Sequence, residues 1–428
     1  MDFLKTSGSE FFINNRPAQL KGAGLGNWLN LEHFMFGLPG TDSQIREAVI
    51  NRFGIERSNL FWDKFYSVYV GEQDISYLKT LGMNHVRIAV NHKLFFTDGF
   101  EKSVAIREID RILQYLNKYD IYGIIDIHTA PGGQNPDWHS DNYSGVDNFW
   151  NDREAMKVLE ELWGEIAEYY KNEPCIGGYD LINEPCFFES AYNKNMVDFF
   201  KRCTQKIRAV DSNHIIFYPG NTYSRDFSMF NENLDDNSSY TFHLYPFLQI
   251  PDDINSPQLP GRLVECLQKD VTYEHLVKKL KKPLWCGETG HPQHMSETSF
   301  SVHEFISVLE SKKIGWALWP LKDRGAMGII SAKKDGEWNS LCNELSENWV
   351  FFDIFTKDSM LSANKMNDKY DYYKWLANES TSAFNVVRKN LEKISFDRFY
   401  NALDDYKFEH CIKNESILPS SCRIIGIE

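Results

Sequence analysis

The stretch YDLINEP, residues 179–185, closes an apolar run with an amide, a carboxylate and a proline. The whole run, IGGYDLINEP (176–185), has the short apolar character of a buried strand in a parallel sheet. Pro185 cannot donate a hydrogen bond to a strand ladder, so we expect the strand to stop there. Polar groups at the end of a buried strand predict that a functional site begins at Asn183 and Glu184.

Runs of the same kind recur along the chain. They are QLKGAGLGNW (19–28), NHVRIAV (84–90), YGIIDIH (122–128), HIIFYPG (214–220), YTFHLYP (240–246), PLWCGETG (283–290) and IGWALWP (314–320). Between many of them lie segments with apolar residues at helical spacing, at 75–82, 106–120, 156–172 and 196–211. Strand and helix alternating in this way predict an α/β fold, a (β/α)₈ TIM barrel.

A doubly wound open sheet is the alternative fold. It would usually carry a glycine fingerprint after its first strand. The stretch GAGLGN (22–27) matches that fingerprint only in part, because it lacks the G-x-G-x-x-G spacing and no helical pattern follows at once. The barrel is therefore the favoured interpretation.

The segments outside the predicted strands define the domain organisation. We expect residues 1–350 to form the catalytic barrel and residues 351–428 to supply the final barrel helix and a helical C-terminal extension. The long predicted loops are 29–73, 129–155, 221–239, 247–270 and 320–350. Most of them follow strand C-terminal ends, where barrel enzymes build their active sites.

Composition limits the class of partner. The chain has 428 residues and a net charge of −14, which disfavours nucleic acid and anionic lipid as ligands. No apolar run approaches the length of a membrane span, and the first residues do not have the pattern of a signal peptide. Without such a signal, we expect free thiols, including Cys411 and Cys422, and a cytoplasmic protein.

Two carboxylates stand out among the polar residues at predicted strand ends. Glu184 ends the fourth strand and Glu288 ends the seventh, and these strands face each other across a barrel mouth. Glycoside hydrolysis uses two such carboxyl groups, one as acid and one as base or nucleophile. Arg87 and Tyr245, also at strand ends, would favour an ionised nucleophile. Other strand-end side chains are Asp126, His128, Asn183, His243 and Trp319.

A metal site is a weaker alternative for the third strand and the loop after it. The candidate ligands there are Asp126, His128, Asp137, His139 and Asp141, but their spacing matches no recognised ligand motif. We therefore expect no metal and no other cofactor.

Six pieces of the sequence together resemble glycoside hydrolase family 5. They are LGMNHVRIAV (81–90), IIDIHTAPGGQN (124–135), YDLINEP (179–185), FHLYPF (242–247), LWCGETG (284–290) and WALWPLKD (316–323). The resemblance implies that Glu184 is the acid/base and Glu288 the nucleophile of a retaining enzyme. It implies that the substrate is bound by residues around them: Arg87, His128, Asn183, His243, Tyr245 and Trp319. Trp28, with Asn27 and Glu32, is implied to bind hydroxyls of the terminal sugar.

The loop HTAPGGQN (128–135) resembles the HGAPGSQN-type loop of the exo-β-glucanase and β-glucosidase branch of that family. The resemblance implies exo-acting hydrolysis of β-glucosidic bonds, with an oligosaccharide or β-glycoside as the substrate. The continuation PDWHSDNYSG (136–145) departs from secreted fungal enzymes with that loop, which favours small substrates over a polymer.

Other readings stay open at this point. An endo-acting β-glucanase or β-mannanase of the same family fits the two glutamates equally well. A carbohydrate-binding barrel without turnover would be expected to lack a glutamate, and both are present. A barrel aldolase would need a lysine at a strand end, whereas Lys21 lies at the start of the first predicted strand.

Overall fold

The computed structural model describes residues 1–187, 193–249, 257–269, 271, 273–293, 300–349 and 369–422. The eight predicted strands form a closed parallel barrel, which confirms the (β/α)₈ fold. Strands are numbered along the chain, and those of the barrel are β4 (Lys21–Gly24), β5 (His85–Val90), β6 (Tyr122–Ile127), β7 (Ile176–Asp180), β8 (Ile215–Pro219), β9 (Ser238–His243), β10 (Leu284–Thr289) and β11 (Gly315–Leu318). The barrel closes because β11 pairs with β4 and β9 pairs with β10.

The helices surround this barrel. Their bounds are His33–Phe36, Asp42–Phe53, Ile55–Tyr69, Glu72–Thr80, Val104–Lys118, Arg153–Tyr170, Asn193–Arg208, Pro246–Gln249, Leu259–Lys269, Phe300–Ser311, Glu337–Ser346, Lys369–Leu391 and Phe396–Asn401, with a π-helical turn at His275–Lys279. The helix that begins at Val104 shows why they form. Ser103 caps its first turn by accepting from the N–H of Ile106, and Ile109, Ile112 and Leu116 lie buried against the barrel.

A small sheet closes the bottom of the barrel, a feature that the sequence patterns did not predict. Its antiparallel strands are β1 (Lys5–Ser7), β2 (Glu10–Ile13) and β3 (Arg16–Ala18). Phe11, on β2, packs with residues at the starts of the barrel strands, among them Phe217 and Trp285. The sheet therefore seals the end of the barrel opposite the strand C-termini.

The segment 29–73, predicted as a long loop, is mostly helical. The helices Asp42–Phe53 and Ile55–Tyr69 lie within it. Phe61 of the second helix stacks on Phe399, with ring centroids 4.4 Å apart. The segment forms helices because its apolar side chains have a core to pack against, supplied in part by residues far along the chain.

The C-terminal extension packs against the barrel. The helix Lys369–Leu391 lies beside Glu337–Ser346, and Asn390 donates from its amide to the carbonyl of Leu345 at 3.1 Å. The boundary that we predict between residues 350 and 351 lies outside the described residues. A second small sheet joins this extension to the barrel, with strands β12 (Lys322–Asp323), β13 (Ile330–Ser331) and β14 (Ile412–Lys413).

Two expectations from composition can be compared with the structure. Within the part of the chain that it describes, no helix combines the length and the apolar character that crossing a bilayer requires. Cys411 and Cys422 are both free thiols, as expected.

We expect the substitution Phe11→Ala to lower the free energy of unfolding by about 3 kcal/mol, because it leaves a cavity at the barrel bottom. The side chain of Phe11 is 1% exposed. Chemical denaturation followed by tryptophan fluorescence would measure the change. The control is Phe96→Ala, whose side chain is 52% exposed and which should change stability by less than about 0.5 kcal/mol. Equal effects of the two substitutions would contradict the structural role of the N-terminal sheet.

Candidate active site

A buried arginine lies at the centre of the barrel mouth. The guanidinium of Arg87, on β5, contacts three carboxylates: Asp180 at 2.8 Å, Asp126 at 3.1 Å and Glu288 at 2.5 Å. Burial alone would lower the pKa of Arg87, but the charges of these three groups raise it above its ordinary value. A guanidinium forms several directed hydrogen bonds at once, so it fixes the carboxylates in position as well as reducing their mutual repulsion.

The carboxylate of Glu288 is held by two hydrogen-bond donors. Glu288 lies in β10, and its Oε1 accepts from Nη1 of Arg87 while its Oε2 accepts from the hydroxyl of Tyr245 at 2.8 Å. Burial, followed by the charge of Glu288, raises the pKa of Tyr245 well above its ordinary value, so the phenol remains a donor. Both contacts are donors that suit an ionised carboxylate, which is the form that a nucleophile needs.

Glu184 does not end a strand, and our prediction of its local structure was wrong. The strand β7 ends at Asp180, and the chain continues irregularly through residues 181–185. Isolated main-chain hydrogen bonds still connect this segment to neighbouring segments. For example, the N–H of Asn183 donates to the carbonyl of Ile127 at 2.9 Å. Glu184 itself adopts a positive φ of 43°, a sparsely populated conformation that is typical of functional sites.

Two histidines contact the carboxyl of Glu184. Nε2 of His139 lies 3.1 Å from its Oε2, and Nδ1 of His243 lies 2.8 Å from its Oε1. Burial opposes ionisation of Glu184, but the hydrogen bonds to these two histidines outweigh it and lower the pKa of the carboxyl. His243 also approaches Glu288, at 3.5 Å, and the three side chains have atoms within 4.8 Å of one another.

Asn183 and His128 form the floor between the two glutamates. Oδ1 of Asn183 accepts from Arg87 at 2.9 Å, which leaves its amide nitrogen 3.2 Å from Nε2 of His128. Nδ1 of His128 is 2.6 Å from Asp126. The imidazole lies parallel to the indole of Trp319, with centroids 5.4 Å apart and planes 6° apart.

The glycines of GAGLGN make room for Trp319. A Cβ atom on Gly24 would lie 2.3 Å from Cε3 of the indole, and one on Gly26 would lie 2.6 Å from Cζ2. Any larger residue would displace the ring. The partial glycine motif therefore marks the close approach of a tryptophan to the first barrel strand.

Trp28 does not reach the site, so its predicted contact with sugar is wrong. Its side chain is fully buried, and its indole N–H donates to the carbonyl of Tyr66 at 3.1 Å, behind the barrel mouth. Asn27 acts only indirectly, because its Oδ1 accepts from the main-chain N–H of Glu32 at 3.0 Å. Glu32 does line the cavity, and burial raises the pKa of its carboxyl although His128 opposes the shift.

The glutamates face a cavity of about 280 Å³. It is lined by seven of the predicted site residues: His128, Asn183, Glu184, His243, Tyr245, Glu288 and Trp319. Arg87 lies beneath them. Four further residues line the same cavity and were not predicted from the sequence. Tyr223 and Arg225 lie in the segment before β9, and Tyr372 and Tyr373 lie on the helix Lys369–Leu391.

Asp180 and His139 were also missed as parts of the site. Asp180 could have been predicted from the sequence as the partner of a buried cation, since an acidic residue inside an apolar strand requires one. It lies in register with Asp126 on the adjacent strand, and both face Arg87. The sequence pattern indicates His139 only as a candidate metal ligand.

The five residues of that metal alternative do not form one group. Asp141 binds Lys93 at 2.7 Å and Ser43 at 2.6 Å, whereas Asp126 belongs to the cluster around Arg87. Among the described residues, the side chains that come close enough to share an ion are Glu184, His243 and Glu288. Their oxygens already accept from Arg87 and Tyr245 and contact histidines, so we assign this group to acid–base and nucleophilic chemistry.

The comparison with known families agrees with this geometry. Residues 44–325, more than half of the chain, match the family model described as cellulase (glycosyl hydrolase family 5). The chain belongs to glycosyl hydrolase family 5. It is therefore an O-glycoside hydrolase, and the predicted family and enzyme class are confirmed.

Individual relatives within the family have different names. The chain is 30% identical to a β-xylosidase of Phanerodontia chrysosporium, over 80% of this chain and 75% of the relative. It is 26% identical to endoglucanase C of Acetivibrio thermocellus, over 64% of this chain and 91% of the relative. Its fold is similar to that of rutinosidase from Aspergillus niger, with a TM-score of 0.58, 16% identity, and coverage of 72% of this chain and 90% of that one.

We expect Arg87→Lys to lower kcat/KM by about 100-fold, since lysine keeps the charge but cannot bind three carboxylates in a fixed fork. Steady-state hydrolysis of a nitrophenyl glycoside that the enzyme accepts would measure the loss. The matched control is Arg208→Lys, because Arg208 makes a paired contact with Asp235, at 2.8 and 2.7 Å, outside the cavity. If both substitutions left kcat/KM unchanged, the guanidinium would not be required to orient Glu288.

Proposed function

We propose that this family 5 hydrolase is a retaining, exo-acting β-glycosidase that cleaves β-glucosidic bonds by double displacement. The substrates are β-1,3-glucan oligosaccharides or β-glucosides. The observation that carries the mechanism is the short distance between the two glutamates, since one carboxylate oxygen of Glu184 and one of Glu288 lie within 4.8 Å of each other. Retaining enzymes hold their carboxyl groups about 5–5.5 Å apart, whereas inverting enzymes need about 6.5–9.5 Å to fit a water molecule.

In the first step, a carboxylate oxygen of Glu288 attacks the anomeric carbon while Glu184 gives its proton to the leaving oxygen. The glycosidic bond breaks, and an ester between Glu288 and the sugar forms. Arg87 and Tyr245 hold the attacking carboxylate in its orientation through hydrogen bonds of 2.5 and 2.8 Å. Asn183 is placed to bind the hydroxyl next to the anomeric carbon, where hydrogen bonds strengthen in the transition state.

In the second step, Glu184 acts as a base. Its carboxylate takes a proton from water, the water oxygen bonds to the anomeric carbon, and the ester to Glu288 breaks. The product keeps the original anomeric configuration because each of the two displacements inverts the configuration at the anomeric carbon. Glu184 ends the cycle protonated, ready for the next substrate.

The walls of the cavity support exo action. Tyr373 comes from the C-terminal helix, and its ring lies 6.2 Å from that of Tyr223 on the opposite segment. The main chain of this helix packs directly on the loop after β6, since a Cβ atom on Gly145 would lie 2.7 Å from the carbonyl oxygen of Tyr373. A wall built across the mouth in this way favours a pocket that admits a chain end over an open groove.

An endo-acting β-glucanase or β-mannanase is the second candidate. The relative named endoglucanase C supports it, because that name describes cleavage within a glucan chain. The relative named β-xylosidase supports action on a β-linked sugar. We prefer exo action because Tyr373 and Tyr223 lie across the mouth of the cavity.

We also propose a cytoplasmic location. Cys411 and Cys422, the pair that could form a bridge in an exported protein, are free thiols, which supports a reducing compartment. Microscopy of a fluorescent fusion in the source cell would test this, and a signal confined to the secretory pathway or the medium would contradict it.

We expect a 2-deoxy-2-fluoro-β-glucosyl fluoride to inactivate the enzyme and to add one fluorosugar mass to the peptide that contains Glu288. The fluorine slows ester hydrolysis, so the intermediate accumulates. Peptide mass spectrometry would locate the label. Glu288→Gln should remain unlabelled, whereas Glu310→Gln, which changes a carboxylate paired with Lys21 outside the cavity, should be labelled as the native protein is. A label on any other residue would refute the assignment of the nucleophile.

We expect laminaritetraose labelled at its reducing end to yield glucose and a labelled trisaccharide as the first products, since only a chain end enters the pocket. Tyr373→Ala should increase the share of internal cleavage by opening the wall. Tyr169→Ala is the matched control, because Tyr169 is 42% exposed on the helix Arg153–Tyr170 and does not line the cavity. A native product pattern dominated by labelled disaccharide would favour the endo reading. Chromatography of the early products would distinguish the two.

A further inference from the structure

The side-chain amide of Asn135 has an orientation that is fixed at both ends. Its Oδ1 accepts from the main-chain N–H of Asp137 at 3.0 Å, and its Nδ2 donates to the main-chain carbonyl of Glu184 at 2.9 Å. The same Nδ2 lies 3.0 Å from Nε2 of His139. Asn135 is fully buried, so no water is available to replace these partners. A second amide hydrogen therefore points at the imidazole.

This contact constrains the protonation of His139. An imidazole nitrogen accepts a hydrogen bond only when it carries no proton, and two N–H groups that face each other repel. Nε2 of His139 also lies 3.1 Å from Oε2 of Glu184. If the proton were on Nε2, it would satisfy the carboxylate but face the amide N–H of Asn135. If the proton is on Oε2, Glu184 and Asn135 both direct hydrogens at a bare nitrogen.

The position of His139 is held by groups other than Glu184. Its main-chain carbonyl accepts from the amide of Asn30 at 3.1 Å, and its ring is 8% exposed. Burial alone would lower the pKa of His139, but the hydrogen bond and the charge of Glu184 raise it to about 9. These shifts of the two pKa values correspond to a proton on Nε2, an arrangement that the amide N–H of Asn135, 3.0 Å away, opposes. Because the orientation of the amide is fixed, we give its contact the greater weight in placing the proton. In both arrangements the histidine and the carboxyl together retain one proton through neutral pH.

Other charged or titratable groups face this pair from several elements. Glu184 is faced by His243 from β9, by Glu288 from β10, and by Tyr245 beyond β9. The groups that face His139 are Asp137 at 3.8 Å, Glu32, His33, His128 and Tyr223, whose ring centroid lies 6.2 Å from that of the imidazole. The acidic members favour retention of a proton in this part of the cavity, and none of them contacts Nε2 as closely as Glu184 and Asn135 do.

We propose that His139 is a positioning residue that shares one proton with Glu184, and that the amide of Asn135 biases this proton onto the carboxyl. The inference rests on the proposed role of Glu184 as the acid/base. His139 then acts together with Glu184 in protonating the leaving group. It lies in PDWHSDNYSG (136–145), where the sequence departs from the loop of the exo-β-glucanase branch.

The proton balance of the cycle follows from this arrangement. In the first step, the shared proton leaves Oε2 for the glycosidic oxygen, and both the carboxylate and a neutral His139 remain. The neutral imidazole does not weaken the carboxylate as a base, so Glu184 accepts a proton from water in the second step. That proton restores the shared state, and no further proton donor is required.

The test compares leaving groups and pH profiles in the substitution His139→Gln. Glutamine keeps a hydrogen-bonding side chain but supplies no titratable proton. We expect hydrolysis of phenyl β-glucoside to fall about 100-fold, and that of 2,4-dinitrophenyl β-glucoside to fall less than about threefold, since dinitrophenolate needs no acid to depart. The alkaline limb of kcat/KM on phenyl β-glucoside, which we expect near pH 9 in the native enzyme, should move about two units toward acid.

Two controls separate this inference from the function on which it rests. His275→Gln removes a histidine that contacts the carbonyl of Phe230 at 2.8 Å, away from the cavity, and should leave both profiles unchanged. Glu184→Gln should abolish hydrolysis of the phenyl substrate. If it did not, the role of Glu184 would fail. If it did, while His139→Gln lowered both substrates equally without moving the alkaline limb, only the shared proton would fail.

A measurement on the native protein covers the case in which His139→Gln does not fold. Nitrogen-15 NMR of histidine-labelled protein reports whether Nε2 carries a proton, and the resonance of His139 is identified by its loss in His139→Asn or His139→Gln. We expect Nε2 of His139 to resonate as a bare nitrogen at neutral pH. An imidazolium frequency there would overturn the proposed bias toward Glu184.

Discussion

The barrel mouth depends on a single buried guanidinium. Arg87 pairs with Asp126, Asp180 and Glu288, and each of these carboxylates comes from a different strand. A buried charge without a partner costs several kcal/mol, so the four side chains are stable only as a set. Because Arg87 occupies the centre, β5, β6, β7 and β10 are held in one arrangement at the level where chemistry takes place. The orientation of the Glu288 carboxylate is a consequence of this ionic cluster.

The two glutamates are held by different groups, which suits the different tasks that we propose for them. Glu288 lies inside a regular strand and accepts from a cation and a phenol, so its geometry is fixed by the barrel. Glu184 lies on an irregular segment at a positive φ and contacts two histidines. A nearby run at Thr222, Tyr223 and Ser224 also has positive φ values, and the N–H of Tyr223 donates to the carbonyl of Pro185. Uncommon backbone conformations thus concentrate on the side of the cavity that holds Glu184.

Part of the cavity wall is formed by residues outside the region that matches the family model. The match covers residues 44–325, whereas Tyr372 and Tyr373 lie on the helix Lys369–Leu391. This helix can approach closely because Gly145 has no side chain at the point of contact. The chemistry therefore comes from the family barrel, while the shape of the pocket depends on an extension with a sequence of its own. Specificity within a common fold is typically set by such additions.

The sequence by itself determined the barrel and its two glutamates. Apolar runs of strand length and helical periodicity are local properties, and they predicted all eight strands in order. Asp180 lay within such a run and could have been assigned to Arg87, since a buried acid needs a cation. The role of Trp28 could not be judged in this way, because its burial depends on the helix Ile55–Tyr69, which forms only when distant residues such as Phe399 pack against it. The N-terminal sheet, the orientation of Asn135 toward His139 and the wall at Tyr373 were likewise decided only by tertiary structure. Each depends on contacts between segments far apart in the chain, and local sequence preferences carry no information about such contacts.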